Sequence, residues 1–235
     1  MGKKEDEREQ IQSYLKKYQI ESIFTEEVMP HLTLYRFKQG EFICTQGDAS
    51  NVLFFLVEGK VKIHTTSQEG KTLVLSFKVP LDAIGDVEYA QKKELLNTVE
   101  AVSPVCMIGV PYRILDQYLK DNTPFLQFML GIISKKFYIK SKSMSFNLMY
   151  PVEVRFASYL LSVIYEDNTA DPGGKLKLST LTDIANLIGT SYRHLNRVIH
   201  KFSEDGLVER SKGYLLIKKR DKLLVLANHN IYENN

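Results

Sequence analysis

The spacing of apolar residues changes character along this 235-residue chain, and each change predicts a different kind of element. Between residues 5 and 20, Ile11, Tyr14, Leu15 and Tyr18 recur on one side of a short amphipathic helix. From Tyr35 to about Pro111 that period gives way to short runs: VLFFLV, KVKIHT, TLVLSF, NTVEAV and VCMIGV. Several alternate in period two, as in Lys60-Val61-Lys62-Ile63. Turn signals separate them at Gln39-Gly40, Gln46-Gly47-Asp48, Glu58-Gly59, Glu69-Gly70 and Ile84-Gly85-Asp86. Strands so short and so regularly punctuated predict a closed or two-layered antiparallel β structure, with a hairpin over Gln68-Glu69-Gly70.

A helical period returns after Pro124, a residue suited to a first helical turn. Up to Pro151, Leu126, Met129, Ile133, Phe137, Met144 and Leu148 fall at steps of three, four or seven, close to a heptad seam interrupted at Lys140. Such a stripe fits a helix packed on its own β domain, or one paired with its copy in a dimer. A second helix, Val152 to Tyr165, leads through the loop Asp171-Pro172-Gly173-Gly174, and a domain border falls near Tyr150-Pro151.

Beyond that loop, TLTDIANLIGTSYRHLNRVIHKF (Thr180 to Phe202) reads as two short helices joined at Gly189. Thr180 and Asp183 form the Thr-x-x-acid pattern of a capping box, and Ile184, Ala185 and Ile188 give the first helix one buried side. Gly189 permits a sharp bend, and Ser191 stands where a cap for the second helix belongs. In that helix Leu195, Val198, Ile199 and Phe202 form one apolar stripe. Tyr192, Arg193, Asn196, Arg197, His200 and Lys201 are left outside it, all capable of donating hydrogen bonds. The pattern is that of a helix-turn-helix with an exposed reading face, Thr190 and Ser191 at its entrance. LVERSKGYLLIKK, turning at Lys212-Gly213, then predicts a β-hairpin wing.

Composition alters this picture only locally. Hydrophobic content of 44% and charged content of 25% are those of an ordinary globular protein, and the net charge is +3. From Tyr192 to Lys222, however, nine Lys or Arg face four Asp or Glu. Local surplus of this kind is what phosphate neutralisation requires. No apolar run is long enough to cross a bilayer, and MGKKEDEREQ has no signal-like apolar segment. Cys44 and Cys106 are far apart without a CxxC spacing, so reduced thiols and a cytoplasmic location are expected. His31 and His64 show no metal-ligand spacing, which argues against a metalloenzyme, and no metal or cofactor is expected.

FKQGEFICTQGD (Phe37 to Asp48), FFLVEGKVKI (Phe54 to Ile63), IGDVEY (Ile84 to Tyr89) and DIANLIGTSYRHLNRVIHKFSEDGLV (Asp183 to Val208) resemble, in order and spacing, the Crp/Fnr family of bacterial transcription regulators. The resemblance implies an α+β chain. Residues 1–123 would form an antiparallel β-roll of the cyclic-nucleotide-binding jelly-roll kind, acting as sensor. Residues 124–150 would form a long dimerisation helix, using Met129, Ile133, Phe137, Met144 and Leu148. Residues 151–235 would form a winged helix-turn-helix. It further implies a homodimer on a pseudo-palindromic double-stranded operator, a contact with RNA polymerase and a small-molecule effector at the β-roll.

The departures from that pattern bear on the signal. Members that bind cyclic AMP carry Gly-Glu after the sixth strand and, further on, an Arg-Ser pair that grips the phosphate. Here Gly85-Asp86 stands at the first place, and Leu95-Leu96 or Leu96-Asn97 at the second. Without a cation and hydroxyl there, a phosphate is desolvated uncompensated, so a response to cyclic AMP is not expected. Gly85, Asp86, Leu95, Leu96, Ser141 and Lys142 are the candidate effector pocket. No cysteine precedes Cys44, which excludes four-cysteine iron–sulfur ligation within one subunit. The alternatives are a ligand-independent or thiol-redox-responsive regulator of the same fold, or a cyclic-nucleotide-type ligand-binding module without regulatory DNA binding. At the reading positions, where family members have Arg or an apolar residue, then Glu, then Arg, this chain has Tyr192, Arg193 and Arg197. Arg197 suits guanine O6 and N7, Asn196 suits adenine, and Lys201 and Ser191 suit phosphate.

Overall fold

The computed structural model describes residues 2–166, 175–228 and 232, and divides into two compact units, 1–136 and 137–235. The first begins with α1 (Gly2–Lys17), continues through β1 (Thr33–Phe37), β2 (Phe42–Cys44), β3 (Val52–Glu58), β4 (Val61–Thr66), β5 (Thr72–Lys78) and β6 (Asp82–Ile84), and reaches α2 (Asp86–Gln91). There follow β7 (Thr98–Ala101), β8 (Val105–Pro111), α3 (Tyr112–Tyr118) and the long α4 (Thr123–Met149). Two four-stranded antiparallel sheets, ordered β1-β8-β3-β6 and β2-β7-β4-β5, make the two layers that the short strands predict. β4 and β5 pair from Val61↔Lys78 to Thr66↔Thr72, the hairpin over Gln68-Glu69-Gly70.

Why VLFFLV is a nearly unbroken apolar run follows from its place. On β3, Leu53, Phe55 and Val57 pack with Ile11 and Leu15 of α1 and with Phe125 and Met129 of α4. Its alternate residue Leu56 faces the other core with Val61, Val99 and Met107. β8 is divided in the same way, Cys106, Ile108 and Val110 to one side, Val105 and Met107 to the other. A strand buried on both faces cannot alternate apolar with polar. The amphipathic reading of residues 5–20 holds as well, since Ile11 and Leu15 are buried and Tyr14 and Tyr18 pack beside them.

A buried ion-pair cluster lies in this unit. Asp86 is 3% exposed, and Lys136 Nζ reaches its carboxylate at 2.9 Å, Asp82 Oδ1 at 2.9 Å and the Ala83 carbonyl at 2.5 Å. Lys78 adds a further pair to Asp82 at 3.3 Å. Burial opposes the Lys136 charge, but the carboxylates of Asp82 and Asp86 outweigh it and hold its pKa above the ordinary lysine value.

The second unit contains the rest of α4, then α5 (Val152–Glu166), β9 (Lys175–Lys177), α6 (Leu181–Leu187), α7 (Tyr192–Glu204), β10 (Val208–Ser211), β11 (Tyr214–Ile217) and α8 (Arg220–Leu226). Its sheet runs β10-β11-β9, and Ser211 opposes Tyr214 across a two-residue turn. Lys212 (φ 46°) and Gly213 (φ 84°) both take the left-handed conformation that such a hairpin turn demands. The Asp171-Pro172-Gly173-Gly174 loop lies outside the described residues. The division between the two units falls inside α4, after Lys136.

Replacing Lys136 with Met leaves the buried Asp86 carboxylate unpaired, and urea unfolding of the full chain should register a loss of about 3 kcal/mol at pH 7. Because the folded pKa of Lys136 is raised, the wild-type contribution is complete at neutral pH. It should decline only as pH rises above about 10.4 and through the folded value.

Candidate nucleic-acid interface

Helix α7 begins where its sequence says it should. Ser191 is extended (φ −81°, ψ 149°) and its Oγ accepts the His194 N–H at 3.1 Å, satisfying one of the free amides of the first turn. Leu195, Val198, Ile199 and Phe202 are between 0% and 3% exposed, so the apolar stripe is wholly spent on the core. What remains outward is one shallow concavity lined by Tyr192, Arg193, Asn196, Arg197, His200, Lys201 and Glu204. Six of these were expected from the sequence. Thr190 is half-buried at the entrance, and Ser191 is spent as the cap.

Glu204 was not expected, and it adds a carboxylate 3.4 Å from His200 Nδ1 at the far end of the face. The i,i+4 spacing was the available signal. Lys201 has Glu153 of α5 at 4.0 Å, a loose pair between partly exposed groups. Arg193 and Arg197 are exposed, and among the described residues neither is held by a partner. Asn196 is engaged at both ends of its amide: Nδ2 donates to the Tyr192 carbonyl at 3.0 Å, and Oδ1 accepts from Arg210 Nη2 at 2.6 Å.

The expected capping box does not form. Thr180 is helical (φ −94°, ψ 0°), and its hydroxyl donates to the Lys177 carbonyl at 2.7 Å instead of accepting from α6. A short 3₁₀ turn, Leu178–Thr180, runs straight into α6 and removes the extended geometry a cap needs. The other end of α6 is closed firmly. Gly189 at φ 67° lets Thr190 N–H reach the Ala185 carbonyl (2.8 Å) and Gly189 N–H reach that of Asn186 (3.1 Å), a Schellman closure.

Three more carbonyls in this turn receive side-chain donors that sequence reading missed. Arg155 of α5, only 9% exposed, donates through Nη1 to Ile188 and to Gly189 (3.1 Å). Asn147, near the end of α4, donates to Leu187 at 3.1 Å, as does the Tyr232 hydroxyl at 2.9 Å. A Cβ on Gly189 would stand 3.1 Å from Arg155 Nη1. A buried Arg inside the apolar VEVRFASYLL run was the one visible hint.

Of the expected effector residues in the first unit, Gly85 and Leu95 line one cavity of about 250 Å³ with Ile43, Cys44, Asp48, Ser50, Asn51 and Phe54. Asp86 is absent from that lining because Lys136 holds it. Leu96 is 63% exposed and instead donates its N–H to buried Glu88 at 3.0 Å. Ser141 and Lys142 belong to the other unit and are exposed there. Burial pushes the Cys44 thiol up to about 12, reinforced by the Glu88 carboxylate, and burial raises Cys106 too. A thiol reacts as its anion, so a raised pKa lowers the reactive fraction at neutral pH. Among the described residues no group of His, Cys, Asp and Glu could hold a metal ion, and no helix is long and apolar enough to cross a membrane.

The apolar seam of α4 also differs from its expected membership. Met129 is 6% exposed and belongs to the β-roll core, and Ile133 is half-buried. The exposed apolar residues are Leu126, Leu130, Phe137, Tyr138, Met144, Leu148 and Met149.

A two-sheet β-roll, a long helix and a capped reading helix followed by a wing define a DNA-binding regulator of the one-chain, two-module kind. Residues 34–122 match the cyclic nucleotide-binding domain family, and residues 154–226 the Crp-like helix-turn-helix domain family. The chain is 28% identical to "Regulatory protein YeiL" of Escherichia coli O157:H7 over 204 residues, 87% of this chain and 90% of that one. Its fold is similar to a Crp/Fnr-family protein of Eubacterium rectale (TM-score 0.74, 21% identity, 92% and 99% of the two chains). It is likewise similar to the c-di-GMP-responsive regulator CLP of Xanthomonas campestris (TM-score 0.73, 18% identity, 83% and 97%). The chain belongs to the Crp/Fnr family of transcription regulators.

The Ser191 cap makes a direct demand on stability. Ser191→Ala should cost about 1 kcal/mol, read as a lowered denaturant midpoint of the carboxyl-terminal unit with the slope unchanged.

Proposed function

We propose that this regulator works as a homodimer on a pseudo-palindromic duplex operator and does so without cyclic AMP. The observation that carries the proposal is the outward face of α7, where Arg193, Arg197 and Lys201 project from a helix whose apolar side is fully buried. Arg197 can present its planar fork to guanine O6 and N7, and Lys201 can meet a phosphate. Exposed Leu126, Leu130, Phe137, Met144 and Leu148 along α4 favour pairing with a second copy, because a monomer would leave these side chains in water.

Two features favour independence from cyclic AMP. Among the described residues the β-roll cavity is lined by Asp48 but by no Lys or Arg, so a bound phosphate would meet a carboxylate and no cation. The acid after Gly85 is neutralised by Lys136 of the same chain. Millimolar cyclic AMP should therefore leave operator affinity within about twofold; a rise of tenfold or more, about 1.4 kcal/mol, would contradict this part.

Selection of duplexes from a random pool at fixed salt tests the DNA reading. Arg197→Ala should lose about 1–3 kcal/mol on the selected site and relax one base position, whereas Lys201→Ala should weaken all sequences alike and lower the salt slope by about one. Equal, sequence-blind losses from both would overturn direct readout by Arg197.

A further inference from the structure

We infer that Arg210, on the wing strand β10, is a positioning residue that locks the amide of Asn196 in one orientation and thereby sets the base it reads. The inference rests on the reading of α7 as the base-reading helix. Arg210 is exposed and Asn196 half-buried, and their 2.6 Å contact joins residues fourteen apart in the chain. β10 is anchored by buried Val208 and held in register by the turn at Lys212-Gly213, so Arg210 approaches α7 from a fixed direction.

An asparagine amide has a donor end and an acceptor end of the same shape, and free in water it turns readily between them. Here each end has a partner of the opposite kind. Nδ2 donates to the Tyr192 carbonyl at 3.0 Å, and Oδ1 accepts from the Arg210 guanidinium. Turned over, the amide would set oxygen against the Tyr192 carbonyl oxygen and N–H against N–H of Arg210. Both contacts would be lost together, so one orientation is held. Each end still keeps one bonding position: the second lone pair of Oδ1 and the second hydrogen of Nδ2. A base offering one donor beside one acceptor, in fixed order, can use both. Adenine does so in the major groove with N6–H and N7, whereas guanine shows two acceptors there. The same contact makes the wing part of the base-reading apparatus.

The test measures relative affinity of the full-length chain for its selected duplex and for the three single-base changes at the position contacted by Asn196. Arg210→Met should flatten the preference for adenine there by about tenfold, leave discrimination at the other positions intact, and add nothing in an Asn196→Ala background. Arg210→Lys, which keeps a donor of similar reach, should restore most of the preference. If Arg210→Met instead weakens every duplex equally, lowers the salt slope by about one and adds fully to Asn196→Ala, Arg210 is a phosphate contact and the inference is overturned. A wild-type chain that selects no sequence overturns the proposed function, and this inference with it. A selective wild type whose Arg210→Met variant keeps its adenine preference overturns the inference alone.

Discussion

In the turn before the reading helix, every carbonyl from Ala185 to Gly189 receives a hydrogen-bond donor. Leu187 and Ile188 are 6% and 0% exposed, and Gly189 bends the chain while α6 ends. At that point successive carbonyls lose their helical partners, and each unsatisfied one would cost about 1–3 kcal/mol. Ala185 and Asn186 are served by the backbone of Thr190 and Gly189. Leu187, Ile188 and Gly189 are served by Asn147, Tyr232 and Arg155. These donors come from α4, α5 and the residues after α8, so the direction of α7 is set by the whole unit. Asn147 places one donor on the long helix, and a displacement of that helix segment would act on the turn at the root of the reading face. A conformational signal needs such a physical link if it is to bias one arrangement over another.

The β-roll also answers a buried polar group from within the chain. The acid after Gly85 is buried, and its charge is answered inside the chain by Lys136, with Asp82 and Lys78 completing the network. An internal cation needs no ligand to satisfy that carboxylate. The adjoining cavity is small beside the roughly 300–1,000 Å³ of drug-sized ligand sites. Leu95 forms part of its wall, while Leu96 turns to solvent and is held through its backbone by Glu88. The two leucines were interchangeable in the sequence and have different roles in the fold.

Local periodicity carried most of the architecture. The stripe of Leu195, Val198, Ile199 and Phe202, the Ser191 cap and the bend at Gly189 depend on neighbours within a turn or two, and all were legible. So were the hairpin over Gln68-Glu69-Gly70 and the wing turning at Lys212-Gly213. Contacts between distant residues were not. Arg155 reaches Ile188 across 33 residues, Lys136 reaches Asp86 across 50, and Asn147 reaches Tyr232 across 85; no spacing rule registers them. Thr180 and Asp183 show the reverse error, a local pattern overridden when the preceding 3₁₀ turn put Thr180 in helical geometry. Met129 matched the seam by period, yet its face of α4 packs on the β-roll, because period alone does not say which neighbour a stripe meets.

In the proposed complex two copies of this reading helix engage one duplex in successive major grooves on the same side. Hydroxyl-radical footprinting on a selected duplex, with the protein-to-DNA stoichiometry measured on the same complex, tests it most directly. Two chains per duplex and two protected segments on one face, centred about 10 base pairs apart, are expected. One chain per duplex, or protection that spreads evenly along any sequence, would contradict it.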